Sequence, residues 1–165
     1  MKPMNVTSWS VALCLLAASG SLSAHHSAGV FEITTPIWVK GTVVRFHWGS
    51  PHSAIIVEAV DKDGEKIHWA LENSSRIDVM ESRGFTKDSF KPGDHIEACG
   101  FAPKLQNAPH LPVLSTDTSP TAPHWLEGAE RVITARLLVT KDGPNTEWSH
   151  YGPLELCIRN GIPAP

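Results

Sequence analysis

Histidine is the residue with the most chemical potential in this chain. There are nine, all beyond residue 24. Imidazole is the commonest protein metal ligand and titrates near neutral pH. His25 and His26 are adjacent, just after a stretch that looks removable. Cleavage after Ala24 would let His25 offer its amine and its ring to one metal, a chelate suited to Cu(II). Cleavage after Ser23 would give Ala24-His25-His26 a free amine, two backbone amides and a third-position imidazole. Four nitrogens in that order suit the square plane preferred by Cu(II) or Ni(II). The competing reading is a polar, solvated lead-in.

His52 follows Pro51 at a strand entrance, and the proline holds Ser50 extended. His47 lies five residues earlier and could flank the same turn. His25, His26 and His52 are therefore the candidate metal ligands, with copper as the candidate cofactor. For His52 alone a turn-stabilising hydrogen bond is the favoured reading, because no third group with metal spacing is evident. His68 points away from Ile67, Trp69 and Leu71 and is expected at the surface or rim. His95 is expected at the surface. His110, His124 and His150 join a site only if their Pro-rich or tail segments fold over the domain.

Other chemistries lack their signatures. There is no G-x-S-x-G, H-E-x-x-H or C-x-x-C, and no phosphate-binding glycine loop. Asp61, Asp63 and Glu65 resemble a calcium loop only superficially. Gly64 falls at the fourth position rather than the sixth, and the distal glutamate is missing. No catalytic residue is assigned, and whether the protein is an enzyme stays open. Of six tryptophans, Trp38, Trp48 and Trp69 are expected to pack a core, and Trp125 and Trp148 to be the exposed pair. Exposed aromatics can stack on bases or sugars. The net charge of −3, with no run of Lys or Arg, argues against nucleic acid and against an anionic membrane surface.

The elements that would position these side chains begin after residue 24. Lys2, the apolar run Val11 to Ala18 and the small residues Ser21 to Ala24 read as a signal peptide over 1–24. That run is too short to span a bilayer, so the chain is expected to be periplasmic or secreted and not an integral membrane protein. Cys14 would leave with the signal. Cys99 and Cys157 would remain, a disulfide candidate in an oxidising compartment.

Residues 25–36 read as an exposed lead-in. Strands are expected over Ile37–Trp48, Ser53–Val60, Glu65–Glu72, His95–Phe101 and Arg131–Thr140. Gly41 suggests a bulge or bend in the first. Ile133, Ala135, Leu137 and Val139 are the expected core face of the last. Ser75 and Asp78 signal a helix start and Gly84 its stop. Residues 102–128 carry five prolines and read as a long loop or insertion. The whole is one β domain over 37–143 with a tail over 144–165. A helix between the third and fourth of five strands is the order of the OB-like barrel, with a small sandwich as the alternative.

Several motifs resemble those of a family of exported bacterial proteins of unknown function. They are Ala24-His25-His26-Ser27, Gly41-Thr42-Val43, Trp48-Gly49-Ser50-Pro51-His52, Trp69, and Gly93-Asp94 before a strand. The family is marked by AHHS, GTV, W-x-N-P-H and a later GD. Ser50 stands here where the family usually has Asn. The resemblance covers residues 24 to about 101, with the fifth strand included. It implies export and an OB-like fold, and no activity. The expected function is thus a non-enzymatic binding or accessory module. Its partner would be a small ligand, a transition metal or an envelope protein. A copper enzyme or a structural module are the alternatives.

Overall fold

The structure, a computed structural model, describes residues 31–104, 124–141, 143 and 145–158. The expected signal, His25, His26, His110 and most of the Pro-rich segment lie outside these residues.

Five strands close a barrel: β1 (Ile37–His47), β2 (Ser53–Val60), β3 (Lys66–Asn73), β4 (His95–Phe101) and β5 (Arg131–Thr140). Neighbours run β3-β2-β1-β4-β5, and parallel pairing of β3 with β5 completes the ring. A two-residue β6 (Thr146–Glu147) adds to β5. The short helix α1 (Ile77–Ser82) lies between β3 and β4. This is the OB-like order expected from the sequence.

Closure depends on bulges. In β1 the register slips between Val43 and Arg45, which leaves Val44 exposed and turns Phe46 back to the core. Gly41 is not the bulge. It is where β1 crosses β2 so closely that a Cβ would sit 2.4 Å from the Glu58 carbonyl oxygen. In the β4–β5 ladder Cys99 faces Leu137 but Gly100 faces Ala135, so Arg136 is the extra residue. The side-chain alternation therefore flips midway along β5. Ile133, Ala135 and Leu138 enter the main core, whereas Leu137 and Val139 turn to the Cys99–Cys157 cluster. The expected core face of β5 is corrected accordingly.

One barrel end is closed by Met80, Phe85, Phe90 and Trp148. The expectation that Trp148 is exposed is overturned, because its exposure is 0%. The tail bends back over β5, and Arg136 anchors it. Arg136 pairs with Glu147 at 2.7 Å and donates to the Gly152 carbonyl at 3.0 Å and to that of Ser149. Cys99 and Cys157 are joined by a disulfide. The helix is shorter than the capping signal implies. Its N-cap is Arg76, with no side-chain cap bond, and Arg76 pairs with Asp78 at 3.0 Å. Ser75 instead donates its N–H to the Asn73 side chain, and Gly84, at φ +87°, ends the turn.

Candidate functional site

β2 is buried along nearly its whole length, Ser53 to Val57 without a break. A barrel strand usually shows one face to water, so something must cover the other. The cover is the last part of the Pro-rich segment, a 3-10 turn over His124–Leu126. Leu126 and Ala129 pack on Ala54, Ile56, Ala70 and Val132. Arg45 fastens this segment by donating to the carbonyl oxygens of Trp125 and Glu127.

That cover brings His52, at the end of the W-G-S-P-H turn, into a row with Trp125, His124 and His47. The Ser50–Pro51 peptide is cis, and Ser53 closes the turn through Gly49. His52 Nδ1 lies 2.7 Å from Glu72 Oε1, and both side chains are largely buried, 16% and 13% exposed. The same oxygen accepts the Trp125 indole N–H at 2.9 Å. The His52 and Trp125 rings stand 5.1 Å apart, tilted by 30°. An ionised carboxylate only accepts, so the proton of a neutral His52 belongs on Nδ1 and the lone pair on Nε2. That tautomer, oriented by a carboxylate, is the one metal-binding histidines commonly use.

Further along the row His124 meets Trp125 edge-on at 5.2 Å, and His47 meets His124 at 4.9 Å. His47 Nε2 is buried without a hydrogen-bond partner among the described residues. Burial, then the neighbouring charges of His124 and Arg45, hold the His47 imidazolium below its ordinary 6.5.

The sign of the pH effect follows. The folded state binds the His47 proton less readily than the unfolded chain. This contribution to stability is whole above pH 6.5 and is lost as pH falls towards the folded value. Glu147 acts in a lower window. Burial raises its pKa, but the Arg136 hydrogen bond and the charges of Arg136, His150 and Arg83 outweigh it, leaving it below 4.5. Urea midpoints should therefore drop on acidification in two separate ranges. His47→Gln should flatten only the upper one; an unchanged upper range would contradict the burial of His47.

Among the described residues no group of three or more His, Cys, Asp or Glu is arranged to hold a metal ion. His52 is placed with Glu72 and Trp125, while His25 and His26 lie outside the described residues. The remaining histidines disperse. His68 sits 3.8 Å from Glu58 and 3.7 Å from Glu130, His95 lies 3.1 Å from Thr42, and His150 pairs with Glu147 at 2.8 Å. Sequence reasoning missed Glu72 and Arg45, and it expected Trp125 to be exposed, whereas Trp125 is half-buried in the row. The outward alternation of Glu72 beside inward Leu71 was the one available signal.

The row occupies the turn that carries the W-x-x-P-H residues. A family model, Family of unknown function (DUF6152), matches residues 12–109, more than half of the chain. The chain belongs to that family. DUF6152 spans the first four strands, so its matched portion includes His47, His52 and Glu72 but not His124 or Trp125. Neither a search of curated proteins nor one of solved structures gave a match. Among the described residues no helix is long and apolar enough to cross a membrane.

Proposed function

We propose that this chain is an exported, non-enzymatic binding module, and that its ligand is a transition metal, copper foremost, taken by His25 and His26 and completed by His52. The observation that carries this reading is the 2.7 Å contact of His52 Nδ1 with Glu72. It fixes the orientation of the ring, as a carboxylate does for a metal-binding imidazole. The signal-like segment over 1–24 supports export, and maturation there would create the chelating terminus beside His25. The Trp125 indole holds Glu72 in place from a second element.

The test is native intact mass on protein matured through its own export route, with and without copper. A 1:1 adduct is expected. It should vanish when His25 and His26 are both replaced by alanine. Glu72→Gln should weaken it by about 10–100-fold, the usual cost of removing a ligand's support, and His52→Ala, which removes the ligand itself, by at least as much. No adduct at modest copper excess would refute the metal reading. An adduct indifferent to His52→Ala would confine it to the terminus.

A further inference from the structure

At the far end of the β2–β3 ladder from His52 the barrel wall is split. Pairing of β1 with β2 stops at Thr42 and Glu58. The earlier residues of β1 pair with β4, while Ala59 and Val60 pair with Ile67 and Lys66. The parting opens a groove of about 530 Å³ between Trp38 and Lys40 of β1, Val60, and Trp69 and Arg131 of β3 and β5. Small-molecule sites have this size.

Its charges are unevenly matched. Asp61 is occupied by the backbone N–H groups of Asp63 and Glu65, at 2.9 Å each. Asp63 pairs with Lys62 at 2.7 Å. Glu130, next to Arg131, is turned to the backbone N–H of His68 at 3.1 Å. Arg131 stands over the Trp69 ring at 5.7 Å, and its Nε is buried with no hydrogen-bond partner among the described residues. A permanently charged guanidinium that lines the groove, with no carboxylate paired to it among the described residues, is a site for an anion. Indole walls suit a flat apolar body. The larger groove nearby, about 700 Å³, mixes Lys40, Glu58, His95, Glu97 and Lys141, and Glu58 there is already paired with Lys66 at 2.8 Å.

We propose that the Trp38–Trp69–Arg131 groove is a binding site for a small organic carboxylate. The carboxylate meets the Arg131 guanidinium and the apolar body lies against the indoles. This site is separate from the His52 row and does not depend on a metal.

The probes are benzoate and benzamide, which share a ring and differ in charge. Both are titrated into isotope-labelled protein while indole and Arg Nε–H signals are followed by NMR. Benzoate should shift the Trp38, Trp69 and Arg131 signals saturably, with benzamide at least about tenfold weaker, a difference of roughly 1.4 kcal/mol. Arg131→Gln should abolish the preference for benzoate. Equal affinity for the two probes, no saturable shift, or shifts confined to Trp125 would overturn the proposal. The comparison of probes on the unaltered protein decides the matter even if Arg131→Gln fails to fold.

Discussion

Trp148→Ala should destabilise the domain by roughly 3–5 kcal/mol, a large share of the about 5–15 kcal/mol that is ordinary for a domain. The indole has 0% exposure. Phe85 and Phe90 meet it edge-on at 5.0 and 5.6 Å, and Phe46 lies at 6.2 Å. Its Nε1–H donates to the Leu71 carbonyl at 3.3 Å, its backbone N–H to the Arg136 carbonyl at 3.0 Å, and its own carbonyl accepts from Asn73. Truncation empties the end of the barrel, where rings from β1, the α1–β4 connection and the tail converge. Trp148→Phe keeps most of the volume and loses one hydrogen bond, so about 1–2 kcal/mol is expected. Urea unfolding followed by circular dichroism measures both. A loss below about 1 kcal/mol for the alanine variant would mean that the tail is not part of the core.

Opening the disulfide is the second large effect. Cys99 and Cys157 are 58 residues apart in sequence. Chain-entropy reasoning for a loop of that length gives about 4 kcal/mol, within the usual range of about 2–5 for native bridges. The bridge is buried among Phe101, Leu137, Trp38 and Leu154, so its environment is a small second core and not an exposed clip. Replacing both cysteines with alanine should lower the unfolding free energy by that amount, seen as a lower urea midpoint. The tail would still be held by Arg136 and Trp148. A thiol reductant should give the same shift in the unaltered protein and none in the double variant. Equal midpoints with and without the bridge would show that the unfolded chain gains nothing from losing the constraint.

Strand identity was legible along the chain because it is written locally. β2, β4 and β5 have the limits read from their β-branched and aromatic runs, since alternation is reinforced at every second residue. The helix between β3 and β4 was legible from its local stop at Gly84, although Ser75 does not cap it, and its place among the strands named the barrel. The bulges were not. Val44 and Arg136 look like ordinary members of their strands, and only closure of the ring forces the extra residue that moves Leu137 and Val139 to the other face. The site divides in the same way. The sequence singled out His52 from its proline and its place at a strand entrance. Glu72 and Trp125 reach it from 20 and 73 positions away, through β-pairing and through a loop laid across β2. Trp148 was misjudged because an irregular tail has no period from which to infer a face. Its burial follows from β6 pairing and from Arg136. Periodicity is a property of neighbours in the chain, whereas coverage of a face is a property of distant segments that only the folded packing brings together.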